Sequence, residues 1–426
     1  MRIWTIKIGE PLPGANVRLM RSGIVTKALA ARGADVTWWV STFSHNHPTR
    51  EYVATQGEQR TVMDNVTLRF VHGPPYHKNV SLARIRNHRA LAADFSKLAR
   101  TLPKPDLIFC AYPPIEIADE ATRFGAEFGI PVILDIRDLW PDVFLDVTPV
   151  PRPLMRIALQ PWYVRARQTL ARATALTAIT EPILDVGLNL AGRPRHDGDG
   201  VFCHAYERPQ INETQRQAAE RFWRQQGLEL GGKEKIACFF GNLSSAPDLD
   251  TPVEALSHLT AGLEPHLKMV LCGSGDRVPW LREQAQRHRQ LIVPGRVGQA
   301  EIAVLMEHAH LGLLIYPNRP DLALSFPNKF GEYLSGSLPI LSTLEGLSGT
   351  FLREKGLGAT CRSGEPHKFA RQMEALICDE ARHGAMVNTA RQVFSDEFDA
   401  SRVYGAMVDH LLTFIKDQPA IRALAG

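Results

Sequence analysis

The sequence predicts an α/β chain built as two Rossmann-like, doubly wound domains in tandem. Three observations predict it. Short apolar runs alternate with helix-periodic stretches, the pattern of parallel strands covered on both faces. The alternation stops and starts afresh near residue 235. Between the two series, Gly187, Gly192, Pro194, Gly198 and Gly200 cluster with charges. With 426 residues, the chain has the length for more than one domain.

The elements of the first half follow in order. Met1–Ile8 reads as a strand and Gly9-Glu-Pro-Leu-Pro-Gly14-Ala15 as a loop. Arg18–Arg32 is periodic, with Leu19, Ile24, Val25, Ala28 and Leu29 on its apolar side, and Gly33 stops it. Asp35–Val40 resumes as a strand, completing a βαβ unit. Asp106–Ala111, Pro131–Asp135 and Ala175–Ile179 are further buried strands, and Ile115–Phe128 is a helix.

In the second half, Lys235–Phe240 is a strand ending at Gly241, and Lys268–Cys272 is one ending at Gly273. Thr251-Pro-Val-Glu254 has capping-box spacing, which predicts Thr251 as N-cap with Pro252 at the first helical position. Leu291–Val293, Leu311–Tyr316 and Leu338–Ser342 continue the strands. Asp396–Lys416 reads as one last helix, with Phe398, Val403, Met407, Leu411 and Phe414 on one side. The expected domains are 1–190 and 200–395, and residues 396–426 are expected as a helix that can cross back to the first.

Composition narrows the function. Apolar residues make up 44% and charged residues 22%, so the chain is globular, and a net charge of +4 argues against a nucleic-acid coat. The six cysteines form no C-x-x-C pair and read as buried hydrophobes in a reducing compartment. The first residues lack the apolar core of a signal peptide, and no apolar run is long enough for a transmembrane helix. The histidines show no metal-ligand spacing, so no metal is expected.

Two tandem doubly wound sheets imply a cleft, with ligands outside the carboxyl ends of the strands. The richest segment at such a position is Ser325-Phe-Pro-Asn-Lys-Phe-Gly-Glu-Tyr-Leu334. With Pro327 at the first helical position, the amides of Asn328 and Lys329 would be free at a helix N-terminus, which suits a phosphate. Lys329 adds a full charge there. Glu332 lies three residues on, where its carboxylate can accept hydrogen bonds from ribose hydroxyls. The same residues also read as a capped surface helix carrying a Lys–Glu pair.

This segment resembles the C-terminal signature of retaining GT-B glycosyltransferases of the glycosyltransferase-4 group. The likeness is greatest to bacterial enzymes that build O-antigen and capsule on a lipid carrier. Gly9-Glu-Pro-Leu-Pro, Arg18-Leu-Met-Arg21, the run Val36–His45, Lys78-Asn79-Val80 and Asp135-Ile-Arg-Asp-Leu-Trp-Pro-Asp142 match in order. The resemblance implies transfer of a sugar, of the acetamido class, from a UDP-sugar to a polyprenyl-diphosphate-linked acceptor at the inner face of the plasma membrane. It implies no cofactor and no metal. It places Gly9, Gly14 and Ala15 near the donor phosphates, Lys329 on the diphosphate and Glu332 on the ribose. Gly241, Asn242, Gly273, Arg296, Pro327 and Asn328 complete the donor side. Arg18, His45 and Lys78 fall on the acceptor side.

The chain departs from the family in two places. Leu324 stands where the first glutamate of the E-x7-E pattern belongs, and Gly241–Asp248 lacks the usual Arg and Lys. Lys329 and Arg296 then remain as phosphate counter-charges. Arg137 and Asp138 follow a strand and read either as acceptor or donor contacts or as a buried salt bridge bracing the loop. His45 and His47 also read as polar surface. Gly273-Ser-Gly275-Asp is half a dinucleotide fingerprint and reads as a tight turn. Two segments are basic. Pro75–Lys104 has Asp94 as its one acid, and Pro151–Ala175 has five arginines, no acid, and Trp162 and Tyr163. They read as solvated helix faces or as contacts with an anionic bilayer. Two other functions fit the fold, a nucleotide-sugar 2-epimerase and a non-catalytic partner of a transferase.

Overall fold

A computed structural model describes residues 1–14, 18–44, 52–78, 80–148 and 150–416. The chain divides into two units, Met1–Cys203 joined by Ala400–Gly426, and His204–Asp399.

The first unit is built on eight strands: β1 (Arg2–Ile6), β2 (Asp35–Ser41), β3 (Gln59–Met63), β4 (Val66–Val71), β5 (Leu107–Tyr112), β6 (Val132–Ile136), β7 (Ala175–Ala178) and β8 (Gly200–Val201). Their order is β3-β4-β2-β1-β5-β6-β7-β8, all parallel except β3, which runs antiparallel to β4. Every residue of β5 and β6 is buried, as strands covered on both faces require. Consecutive tryptophans in β2 serve opposite faces. Trp39 packs with Trp4 and Phe95, ring centroids 5.2 Å apart for Trp4–Trp39 and 4.8 Å for Trp39–Phe95, while Trp38 joins Val40, Leu68 and Phe70. The β3–β4 hairpin escaped the sequence reading. Its turn is Asp64-Asn65, with Asn65 at φ 59°, a conformation asparagine tolerates.

The helix Arg21–Ala31 is shorter than expected, and Ile115–Phe128 forms with the expected bounds and ends on Gly129 at φ 65°. The basic segment forms Leu82–Thr101, started by the Ser81 hydroxyl, which accepts from the Arg84 amide at 3.2 Å.

The second unit is a six-stranded parallel sheet: β9 (Lys235–Asn242), β10 (Leu267–Ser274), β11 (Leu291–Gly295), β12 (Leu311–Leu314), β13 (Ile340–Ser342) and β14 (Gly358–Thr360). The order is β11-β10-β9-β12-β13-β14. Three local expectations are corrected. Thr251 is not an N-cap: the helix is Asp250–Ala255 after Leu249, and the Thr251 hydroxyl accepts from the Gly364 amide at 2.7 Å instead. Pro327 is the residue before its helix rather than the first residue in it. The final helix is not continuous from Asp396. Phe394–Phe398 makes a π-helical turn, Asp399 is extended, and Ala400–Lys416 follows as a separate helix. That helix belongs to the first unit, where it buries Tyr404, Met407, Val408 and Leu411.

Candidate functional site

Strand order marks where each sheet can hold a ligand. In a doubly wound sheet, neighbouring connections pass to opposite faces at one point and leave a crevice at the carboxyl ends there. In the second unit this point lies between β9 and β12, and in the first between β1 and β5.

In the second unit, the helix Asn328–Ser335 lies in the connection from β12 to β13. Its apolar anchor is Phe330, packed with Phe326 at 4.9 Å and Phe398 at 5.5 Å between ring centroids. The Tyr333 hydroxyl donates to the Leu313 carbonyl at 2.9 Å, fixing the helix to β12. Lys329 then reaches across to the end of β9. Its ammonium is 5.2 Å from the centroid of the Phe240 ring. A methyl group at Gly241 would come within 3.4 Å of its Cε.

The Lys329 ammonium donates to Glu332 Oε2 at 2.9 Å, and the Glu332 side chain is only 2% exposed. An ammonium has three N–H groups, so the pair leaves Lys329 with donors for an incoming anion. Burial, helped by the charge of Glu332, pushes the Tyr316 hydroxyl up to about 12, keeping a neutral O–H beside the pair.

Asn242 is exposed at the end of β9, and Gly241 is partly so. Gly273, the next-to-last residue of β10, has φ 153°, and a Cβ there would fall 1.9 Å from the Gly241 carbonyl oxygen. Glycine is therefore required by the close approach of two paired backbones within the sheet, and the turn itself begins only at Gly275. Arg296 is exposed just after β11.

The first unit holds a buried charge network at the ends of β1 and β6. Asp135 accepts from Arg21 Nε and Nη2, both at 2.8 Å, from Arg137 Nε at 2.7 Å and from Thr177 Oγ1 at 2.9 Å. Burial alone would raise this carboxyl, but the two guanidinium groups hold it well below the usual carboxylate range. Arg137 also donates to Glu10 at 2.5 Å and to Ser22 Oγ at 2.7 Å. Glu10 in turn accepts from the Ser22 amide at 3.1 Å, so the Gly9 loop is tied to the start of the helix Arg21–Ala31. Of the two expectations for Arg137, the buried brace is the one this geometry matches. Asp138 is exposed.

Beside this network lies a groove of about 520 Å³ lined by Lys7, Gly9, Tyr76, Arg84, Asp138 and Trp140, among others. Gly9, at φ 86°, turns the chain along its edge. The Lys7 backbone amide donates to the Trp39 carbonyl at 3.2 Å, while its ammonium makes no hydrogen bond or ion pair with a described residue; burial, and then the charge of Arg137, lowers its amine from the ordinary value. The sequence reading missed Lys7. Its signal was a lone lysine at the end of an apolar strand, where a sheet's crevice forms. Lys78 is exposed nearby in sequence, Arg18 is half-buried and Gly14 exposed. Ala15 and His45 lie outside the described residues. Among the described residues, no group of three or more His, Cys, Asp or Glu is placed to hold a metal ion.

Comparison with known proteins fits this arrangement. Residues 21–196 match the family described as glycosyl transferase 4-like domain, and residues 234–379 match glycosyl transferases group 1. No curated protein sequence matches. Among solved structures, HepE from Anabaena in complex with UDP is 13% identical, with a TM-score of 0.65 over 97% of this chain and 100% of that one. The same protein is also known with UDP-glucose, at 14% identity and a TM-score of 0.62 over the same shares of both chains. Sucrose-phosphate synthase from Thermosynechococcus elongatus is 14% identical, with a TM-score of 0.66 over 95% of this chain and 97% of that one.

Proposed function

From a chain that is a glycosyltransferase of the GT-B type, a glycosyl transferase 4-like domain followed by a group 1 domain, we propose a retaining sugar transfer from a UDP-sugar to a lipid-linked saccharide. The observation that carries the donor half is the Lys329–Glu332 pair at the switch point of the second sheet. UDP and UDP-glucose in the complexes of Anabaena HepE support the choice of nucleotide. The acetamido class of the sugar and the polyprenyl-diphosphate carrier follow from the sequence resemblance.

In this reading, the C1–O bond to the diphosphate breaks and a C1–O bond to the acceptor hydroxyl forms on the same face of the sugar. The hydroxyl proton passes to the departing diphosphate oxygen. Negative charge grows on that oxygen, so positioned cations and amides lower the barrier. Lys329 supplies the charge, the amides at the start of its helix add partial positive charge, and Glu332 holds the ribose. Since these groups supply the counter-charge, EDTA should leave turnover unchanged.

The acceptor half falls to the first unit, at the groove of Lys7 and Asp138. A membrane partner is supported by the helix Arg152–Ala158, which has no buried residue and exposes Leu154 at 60% and Ile157 at 69% beside Arg152 and Arg156. An apolar edge flanked by cations suits an anionic bilayer surface, and the cytoplasmic face of the plasma membrane is the proposed location.

The test is UDP release from UDP-acetamidohexoses with a polyprenyl-diphosphate saccharide as acceptor, with the anomeric configuration of the product read by NMR. The expected product keeps the donor's configuration. Inversion, or a Lys329→Ala protein with near-normal turnover, would overturn the reading.

A further inference from the structure

Next to the groove of the first unit is a second, apolar cavity of about 340 Å³, lined by Ile85, Phe144, Met155, Leu159 and Trp162 among others. Val80, Arg84, His88, Trp140 and Phe144 line both spaces, so one wall divides a polar groove from an apolar cavity. The Arg84 guanidinium lies over that wall, 5.1 Å from the Trp140 ring centroid and 5.8 Å from that of Tyr76. The wall is held from below by His88, whose Nδ1 is 3.6 Å from Glu116 Oε2, with both side chains buried.

The mouth is unlike the rest of the surface. Nine large apolar side chains are exposed among the described residues; Val80 and Leu82 line the cavity itself, and Val150, Leu154, Ile157 and Val164 lie on the stretch of chain that also supplies Phe144, Met155, Leu159 and Trp162 to its lining. Apolar exposure concentrated on the segments that line one cavity points to an interaction site rather than ordinary surface.

We infer that this cavity seats the isoprenoid chain of a diphosphate-linked acceptor, whose phosphates lie in the adjoining groove toward Lys7 and Arg84. The inference rests on the acceptor class proposed above and names where its hydrocarbon goes. The cationic groove and the apolar cavity share one wall, which matches an isoprenoid diphosphate, a molecule whose anionic head joins its chain directly. A cavity of about 340 Å³ lies at the low end of small-molecule pockets, about 300–1,000 Å³, so it takes only the first stretch of a long chain. The exposed rim then meets the bilayer that holds the remainder.

The experiment is a chain-length series on the full chain, with inorganic pyrophosphate and dimethylallyl, geranyl and farnesyl diphosphates, each titrated by calorimetry. Each buried methylene is worth roughly 4-fold in affinity. Affinity should therefore climb by at least tenfold from pyrophosphate to geranyl diphosphate and level off once the cavity is full. Ala158→Trp, at an exposed position on the lining, should fill the cavity and abolish the climb while pyrophosphate affinity stays. Ile85→Trp does the same from the opposite wall, and an unchanged Tm certifies the fold of each variant.

Equal binding across the series, or a climb that both variants retain, overturns the inference. Competition by dihexanoylphosphatidylglycerol as strong as by geranyl diphosphate overturns it in favour of a bilayer acyl chain. Sugar transfer to a short soluble acceptor reads the proposed reaction independently. It survives if only the cavity assignment fails, whereas a normal chain-length series without any transfer sinks the reaction alone.

Discussion

In the proposed reaction Lys329 and Glu332 serve stability and chemistry together, and variants can separate the two. Lys329→Ala removes the cationic partner of the nearly buried Glu332 carboxylate, at a cost of about 3–5 kcal/mol. The double variant Lys329→Met, Glu332→Gln removes both charges and should recover most of that stability. Turnover should stay down by about 100-fold or more in both, because a transition-state contact worth about 2.7 kcal/mol is gone. Denaturant titration and UDP release measure the two effects side by side. Asp135 is the opposite case, with a structural role alone. Asp135→Asn should destabilise by about 3 kcal/mol or more, since Arg21 and Arg137 lose their counter-charge in a buried site. Its folded carboxyl titrates below the ordinary value of 3.8. Its contribution is therefore complete above that value and is lost as pH falls through the lower folded value. Unfolding midpoints of the wild type and Asp135→Asn should differ by a constant amount from pH 5 to 7 and converge in stronger acid. The sequence named Arg137 but left its role open, because the partners that decide it, Glu10 and Ser22, lie far from it along the chain.

At the level of elements, the basic segments divide by what their apolar sides touch. Leu82–Thr101 buries Leu91, Phe95 and Ala99, so most of its charges are the solvated face of a packed helix. Arg152–Ala158 buries nothing, and its Leu154 and Ile157 remain exposed. The double variant Leu154→Glu, Ile157→Glu should lower flotation with anionic liposomes by about tenfold and leave Tm unchanged, since no packed contact is lost. Flotation that ignores both the variant and added salt would remove the membrane from the account. Periodicity located both segments in the sequence. It could not tell a face that packs from one that stays bare, because burial depends on neighbours distant in the chain. The β3–β4 hairpin was missed for a related reason: Gln59–Met63 is a polar edge strand, with no buried residue to betray it.

For the molecule as a whole, the last helix makes the first unit discontinuous. Ala400–Lys416 packs on Arg21–Ala31, and the Arg21 guanidinium lies 5.4 Å from the Tyr404 ring centroid. Ending the chain after Asp399 removes the burial of Tyr404, Met407, Val408 and Leu411, at about 1.5–3 kcal/mol for each aliphatic side chain. Calorimetry should find the unfolding of the first unit lowered or lost, while that of the second, complete without this helix, stays near its original temperature.

The sequence by itself determined the class of fold, the restart near residue 235, and a helix starting within a residue of Pro327. Each is written locally, in runs of apolar residues, glycine stops and a proline before a charged turn. Only the tertiary structure decided that Lys329 crosses to the end of β9, that the Lys7 ammonium lies in the groove unpaired among the described residues, and that an apolar cavity shares its wall. Those facts depend on strand order, and strand order is fixed by how the whole set of elements buries its apolar faces, which no local stretch encodes.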